Sequence, residues 1–256
     1  MFDDRSRARH LLKGFDFDSQ LAAVKVLLKD LRKVDEAHTQ RVKELSALAD
    51  AETGDEHGFP CADAYVDLCH EGIYMAATHS MAAVSMLAPL TEGLFVGLFR
   101  GLGIRAEKKG MPVGMDARRR ATPEQLWDPH FVFKPGSKGE KSIVRGIEQV
   151  AVCSGLVEHL PKDYLIKLDA LFAYRNKMLH CGFEWPEDER AAFAKRLPDW
   201  PVDWFQLASI NDKPWTFYMS WSFIDCCIAF VDDIQLGAGA FIRNADGTLG
   251  EILRRH

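Results

Sequence analysis

The chain has 256 residues, of which 47% are hydrophobic and 27% are charged, and its formal net charge is −5 at pH 7. This length can bury a substantial core as one large domain or two small ones, and the composition is that of a soluble globular protein. The acidic balance excludes nucleic-acid binding through overall charge, so any such partner must meet a local basic patch.

Cysteine usage and the apolar segments indicate a cytoplasmic protein. The six cysteines contain no CxxC pair, and no cluster of cysteine and histidine has a recognised zinc spacing, so we expect no disulfide framework, metal or cofactor. The N-terminal residues 1–20 lack an apolar signal core. The uncharged run at 72–91 is long enough to span a membrane, but its polar residues favour a buried core helix, and we predict no membrane contact.

The first predicted helix begins at an N-cap formed by Asp18 or Ser19 and runs to about Asp50. Apolar residues recur along it at spacings of three and four, and the same seam carries Asp35 and His38. This pattern indicates a helix packed along one stripe, either as an ordinary amphipathic helix of its own domain or in an antiparallel pair or dimer with a polar layer in the middle. The apolar members are Leu21, Val24, Leu28, Leu31, Val42 and Leu45.

After a loop at 54–60, a long apolar helix is predicted from Asp63 to Leu102, with a possible kink at Pro89. Glycines 93, 97 and 101 share one face of it and permit another helix to approach closely. The following segment, 103–142, is rich in proline and glycine and is read as irregular. Between Arg105 and Arg120 its local charge is +4, which is typical of a solvated loop and also makes it a candidate nucleic-acid-facing loop.

The remaining chain is also predicted to be helical. We expect helices at 141–160, at 162–181 between Pro161 and Gly182, at 187–197, and from about Trp215 to Leu236 after a connector rich in tryptophan and proline. No convincing strand is apparent. The sequence therefore predicts an all-α fold in a single domain over 1–256, with an N-terminal helical segment at 1–60, a core at 61–185 and a C-terminal extension at 186–256.

The helix predicted at 162–181 carries the residues with the clearest chemistry, Arg175, Asn176 and His180. A histidine can transfer protons near neutral pH, an arginine fork can donate two hydrogen bonds to a phosphate, and an asparagine can orient either neighbour. On a regular helix the arginine and the histidine lie about 140° apart, so they converge only if Arg175 curls round, if the helix tightens near Gly182 or if two protomers share the site. In a purely structural alternative, Arg175 and Asn176 pair with Glu92 or Asp169 and His180 caps the helix end.

The arrangement Arg175-Asn176-x-x-x-His180 in a helical protein resembles the Rx4H motif of the HEPN family of all-α proteins, many of which are metal-independent ribonucleases. The resemblance implies a HEPN-like helical bundle with extra N- and C-terminal helices, a homodimer in which two motifs meet in a cleft, and a catalytic set of Arg175, Asn176 and His180. Glu92 resembles the acidic residue that some members place opposite the motif.

The resemblance implies a metal-independent endoribonuclease, and it suggests a toxin or defence effector with an antitoxin or regulator protein as partner. RNA would be held by Lys177 together with Lys141, Arg145 or the basic 105–120 segment, because an acidic protein needs such a patch. The alternative function is a non-catalytic helical module that dimerises or binds a partner.

Overall fold

The computed structural model describes residues 3–12, 14–51, 60–110, 113–118, 120–134 and 140–254. Residues 54–59 of the predicted loop lie outside this part. The chain is mostly helical, as predicted. The helices are α1 Asp4–Arg9, α2 Phe17–Ala51, α3 Pro60–Lys109, α4 Ile143–Ser154, α5 Tyr164–Cys181, α6 Glu187–Ala194 and α7 Trp221–Arg254. Short 3₁₀ helices occupy Val113–Arg118, Leu156–His159 and Leu197–Asp199.

Within the described residues, four strands form two antiparallel pairs: β1 Phe131–Val132 with β2 Glu140–Lys141, and β3 Phe205–Ile210 with β4 Lys213–Met219. The prediction of a chain without strands, with a helix from Trp215, was therefore wrong. Asn211 and Asp212 connect β3 to β4 with φ values of 50° and 61°. Two consecutive left-handed residues are the signature of a type I′ hairpin turn, and the helix α7 begins only at Trp221, after Ser220 has capped it through a bond from Phe223 N.

Helix boundaries differ from the predicted ones where a local backbone or cap decides them. α2 is capped by Asp16, whose carboxylate accepts a hydrogen bond from Ser19 N at 3.0 Å, rather than by Asp18 or Ser19. The helix predicted over 141–160 ends at Ser154 because Gly155 has a φ of 78°. α5 confirms the helix predicted at 162–181, although it begins three residues after Pro161, at Tyr164.

The chain forms two compact units: unit 1 comprises residues 1–21, 87–172 and 227–256, and unit 2 comprises 22–86 and 173–226. Each unit takes residues from all three of the predicted segments. In the part of the chain that the structure describes, one helix, at residues 60–108, is apolar and long enough to cross a membrane, with a mean hydropathy of 1.6 in its most apolar window. That window is 61% buried, a property that it shares with the core helices of soluble proteins.

In unit 2, α2 and the first half of α3 pack along the predicted seam. His38 lies against Gly72, where an added Cβ would come within 2.6 Å of its ring, and Asp35 lies near His79. Because the earlier residue of α2 faces the later residue of α3, the two helices run antiparallel. The predicted polar layer is present, since the Asp35 carboxylate accepts a hydrogen bond of 2.9 Å from Trp221 Nε1.

In unit 1, the row of glycines on α3 permits another part of the chain to approach closely, as predicted. The part that approaches is the segment before α2, not a helix. A Cβ on Gly101 would lie 2.3 Å from Leu11 O, and one on Gly97 would lie 3.1 Å from the Leu12 side chain. The long helix continues past Pro89. Residues Leu11 and Leu12 are buried against this row, so that the N-terminal segment becomes part of the unit 1 core.

The irregular segment of unit 1 is organised around Arg118, which is completely buried. The guanidinium donates five hydrogen bonds of 2.7 to 2.9 Å. Their acceptors are the carbonyl oxygens of Gln125, Leu126, Asp128 and Phe131 and the side-chain oxygen of Gln149. The expectation that this basic stretch is a solvated or RNA-facing loop was wrong at Arg118, and Arg105 already belongs to α3.

We predict that Arg118→Met destabilises the protein by about 3 kcal/mol or more, because the substitution leaves several buried carbonyl groups without donors. Thermal and denaturant unfolding measure this loss. Arg120→Met is the matched control, since Arg120 belongs to the same basic run and is exposed; its free energy of unfolding should stay close to that of the wild type. Equal stabilities of the two variants would contradict the assigned role of Arg118.

Candidate functional site

The motif residues lie near the C-terminal end of α5, within unit 2. The helix ends because Gly182 adopts a φ of 72°, and its N–H donates to Met178 O at 3.1 Å. The next segment is held against this end, since Trp185 Nε1 donates to Gly182 O at 2.9 Å. His180 therefore lies in the last turn, where the helix dipole favours a cation.

Two buried side chains of α5 fix the orientation of the motif. Tyr174 is 0% and Met178 1% exposed, and the Tyr174 hydroxyl donates to Phe217 O at 3.0 Å. Asn176 follows Tyr174 by two residues, and His180 follows Met178 by two residues. Two residues turn the helix by about 200°, so both side chains point away from the core. Both are exposed. They lie one turn apart on the same face, where side chains at positions i and i+4 are neighbours.

An aromatic cluster supports this end of α5. Phe193 of α6 lies at its centre, with ring centroids 5.0 Å from Trp185 and 5.1 Å from Phe217. All members of the cluster are buried, and α5, α6, β3, β4 and the loops between them supply them. They are Tyr174, Trp185, Phe193, Trp200, Phe205 and Phe217. Because interiors of this kind pack closely, the exposed face of α5 is presented by a rigid framework.

The structure brings Asn176 and His180 together on one face but leaves Arg175 to the side of it. Arg175 is half-buried, and α5 remains a regular α-helix to Cys181. A regular helix places Arg175 and His180 about 140° apart around the axis and about 7.5 Å apart along it. The helix does not tighten, so the two groups can meet only if the Arg175 side chain curls round the helix or if two protomers share the site.

The predicted phosphate-binding residues are distributed over both units. Lys177 lies in unit 2 and forms an ion pair with Glu189 of α6. Lys141 and Arg145 lie in unit 1, where Lys141 is exposed and Arg145 pairs with Glu140 at 3.2 Å. Within the described residues, no group of three or more histidine, cysteine, aspartate or glutamate side chains is arranged to hold a metal ion.

Glu92 lies in unit 1 and takes part in a cluster that sequence reasoning missed. Glu92 Oε1 is 2.8 Å from His130 Nε2, and the other ring nitrogen of His130 is 2.6 Å from Asp128 Oδ1. Partial burial lowers the pKa of His130, but the hydrogen bonds to Glu92 and Asp128 outweigh it and raise the pKa above its ordinary value. The histidine is 38 residues from Glu92 in sequence, so no local pattern indicated this contact.

This cluster should make stability depend on pH. Because the folded pKa of His130 is raised, the stability it contributes is fully present below its unfolded pKa of about 6.5 and is lost as the pH rises through the folded value. We therefore expect His130→Gln to lower the melting temperature more at pH 5.5 than at pH 8.5. His70→Gln, at an exposed position of α3, is the control. An equal loss at both pH values would contradict the charged bridge.

The likeness to HEPN proteins is supported only by the motif at residues 175–180 and by its position in a helix. No protein-family model, no curated protein and no solved structure matches the chain. The indications of function are therefore the chemistry and the exposure of the side chains on α5.

Proposed function

We propose that this chain is a cytoplasmic, metal-independent endoribonuclease of HEPN type, with a HEPN-like helical bundle and extra terminal helices, and that it acts as a homodimer. The observation that carries the proposal is the exposure of Asn176 and His180 on one face of α5, with Arg175 beside them. Tyr174 and Met178 anchor the opposite face, so the side chains of Asn176 and His180 are held outward, whereas Arg175 is half-buried. A toxin or defence effector is the role that the resemblance suggests.

Cleavage of RNA without a metal requires two proton transfers and a cation. The 2′-oxygen forms a bond to phosphorus while its proton passes to a base, and the bond from phosphorus to the 5′-oxygen breaks as that oxygen receives a proton from an acid. A neutral His180 can serve as the base and a charged His180 as the acid. Arg175 can stabilise the phosphorane through its fork, and Asn176 can orient His180 from one turn away.

One His180 per site is sufficient, because the same imidazole can accept the proton of the 2′-hydroxyl and then donate it to the leaving 5′-oxygen. Two copies of the chain can bring that histidine beside an arginine. Since Arg175 and His180 diverge on one regular helix, the arginine of one copy would act beside the histidine of the other. Exposed apolar side chains support association: Leu179, adjacent to His180, is 54% exposed. On α2, Leu27, Val34 and Leu48 are 48%, 51% and 59% exposed at spacings of seven and fourteen residues, which is typical of a seam between helices.

Phosphate binding would draw on cations that now contact carboxylates. Lys177 would exchange Glu189 for a phosphate, and Arg145 would exchange the exposed Glu140. Exposed ion pairs contribute little to stability, so the exchange at Arg145 costs little. The pair of Lys177 with Glu189 is partly buried. Lys141 is exposed on β2. Glu92 has no part in the proposed step, since its carboxylate is bonded to His130 in unit 1.

A second candidate is a non-catalytic module that dimerises or binds a partner, including a regulator of the antitoxin kind. The exposed apolar residues of α2 favour it, because they would serve association whether or not α5 is catalytic. RNA cleavage in the presence of EDTA separates the two functions.

We expect the wild-type protein to cleave a labelled RNA in EDTA, and His180→Ala and Arg175→Ala each to lower the rate by about 10²- to 10⁴-fold. Asn176→Ala should lower it less, and Arg175→Lys should restore little activity, because an ammonium group lacks the fork. Cleavage rates and melting temperatures are measured for every variant. The control is Lys162→Ala, an exposed substitution before the start of α5.

If the motif were structural, the same alanine variants would show lower melting temperatures and unchanged RNA turnover. Cleavage that survives both substitutions would contradict the assignment of this motif. Absence of cleavage by the wild type, across RNAs of varied sequence, would favour the partner-binding module.

The shared site predicts complementation between inactive variants. When Arg175→Ala and His180→Ala are mixed and allowed to exchange subunits, each mixed dimer contains one intact arginine and one intact histidine facing each other. Activity should rise above that of either variant alone to a detectable fraction of the wild-type rate, measured with the same labelled RNA. A mixture of His180→Ala with His180→Gln is the control and should stay inactive. No recovery in the first mixture would contradict a site built from two copies.

A further inference from the structure

Unit 2 contains a second polar feature, a cavity of about 250 Å³ that the proposed cleavage step does not use. α2, α3, the β3–β4 hairpin and the start of α7 enclose it. It is lined by Asp35, Thr39, Ala76, His79, Gln206, Tyr218, Met219, Ser220, Trp221 and Ile224. The volume is just below the range of about 300–1,000 Å³ that accommodates drug-sized ligands, so a smaller planar group is the appropriate size of occupant.

The imidazole of His79 is the strongest sign that the cavity binds a ligand. His79 is only 7% exposed, and its Nδ1 atom is buried without a hydrogen-bond partner among the described residues. Asp35 Oδ1 lies 3.7 Å from that atom, which is too far for a hydrogen bond. Burial lowers the pKa of His79, and Asp35 opposes this shift only in part, so the ring is neutral at pH 7. An unpartnered buried ring nitrogen costs free energy that a bound polar group would recover.

Asp35 gives the cavity its charge and its preference for donors. Trp221 Nε1 already donates to Asp35 Oδ2, and this bond fixes the orientation of the carboxylate. A carboxylate has about four acceptor positions, so Asp35 retains capacity for two further N–H groups. Lysine and arginine are absent from the described residues that line the cavity. The cavity therefore favours a ligand that donates hydrogen bonds over an anion.

Two further side chains complete the set. Tyr218 and Gln206 line the same cavity, and a phenol hydroxyl and a side-chain amide can both donate to a carbonyl oxygen. Tyr218 and Trp221 also provide aromatic walls. A planar ligand with two adjacent N–H donors and a neighbouring carbonyl oxygen matches this arrangement. Among the four RNA bases, guanine alone has that pattern on its Watson–Crick edge, through N1–H, the N2 amino group and O6, and single-stranded bases are commonly read on this edge between aromatic side chains.

We propose that this cavity binds a guanine base of a single-stranded RNA, with Asp35 accepting hydrogen bonds from N1–H and the N2 amino group. The inference rests on the proposed function, because it names a base preference for the RNA that the protein would bind. Tyr218 or Gln206 donates to O6, and His79 contacts the edge of the base from the interior.

The test measures binding without cleavage, using 2′-O-methyl trinucleotides that cannot be cut. We expect the wild-type protein to bind UGU at least about tenfold more tightly than UAU in calorimetry, because hydrogen bonds to a charged acceptor are among the strong ones. A trinucleotide with inosine at the centre, which lacks the N2 amino group, should bind more weakly than UGU. This comparison changes only the RNA and so does not depend on how any protein variant folds.

Asp35→Asn should reduce the binding of UGU to the level of UAU, since the amide presents one acceptor where the carboxylate presented two, while its oxygen can still accept from Trp221. Asp30→Asn is the matched control, at an exposed position of the same helix with a local lysine partner, and should keep the preference. Equal wild-type binding of UGU, UAU and the inosine trinucleotide overturns the inference, and so does a guanine preference that survives in Asp35→Asn.

The outcome is independent of the ribonuclease assignment. A guanine preference in a protein that cleaves no RNA supports the base-binding cavity and overturns the proposed catalytic function. Cleavage in EDTA with no preference among the trinucleotides overturns the cavity and leaves the catalytic function in place. A cavity that holds only water would give equal affinities for all three trinucleotides.

Discussion

The buried guanidinium of Arg118 imposes order on the part of unit 1 that has the least regular backbone. It donates to four carbonyl groups between residues 125 and 131 and to the Gln149 side chain of α4, and none of these acceptors carries a charge. The cost of burying the cation is offset mainly by these oriented dipoles, which requires all of them to be in place together, and the charge of the Asp128 carboxylate also favours the cation. Asp128 accepts one of these hydrogen bonds through its backbone carbonyl, and its carboxylate binds His130. His130 in turn binds Glu92 of α3.

Unit 2 is held together by aromatic packing instead of by a buried cation. There a buried aromatic cluster, with Phe193 at its centre, fixes α5 against α6 and the β3–β4 hairpin. The exposed end of α5 needs this support because a short terminal turn has few contacts of its own. The aromatic cluster contains none of the candidate functional side chains of unit 2. Asn176 and His180 point outward, and Asp35 and His79 border a cavity.

Helical periodicity was sufficient to predict α2 and the seam that carries Asp35 and His38, because one-sided burial imposes spacings of three and four that can be recognised in a single sequence. α5 was predicted from the residues at its ends, Pro161 and Gly182. The hairpin was missed because three of the seven residues of β4 are aromatic and burial along the strand does not alternate, although the Asn211-Asp212 pair was an available turn signal. The burial of Arg118 could not be predicted, because nothing in the sequence distinguishes it from the neighbouring arginines of the same basic run. Contacts such as His130 with Glu92 depend on how distant segments meet, and a single sequence does not encode them locally.

The regularity of α5 also bears on how the proposed activity would respond to the amount of protein. A site completed by two copies exists only in the associated species, and below the dissociation constant the amount of that species follows the square of the monomer concentration. Halving the protein would then reduce the active species about fourfold. The protein would therefore be almost inactive at low expression and would gain activity steeply as its concentration rises. The separation of Arg175 and His180 on one helix would thus make the activity depend on the amount of protein in the cell.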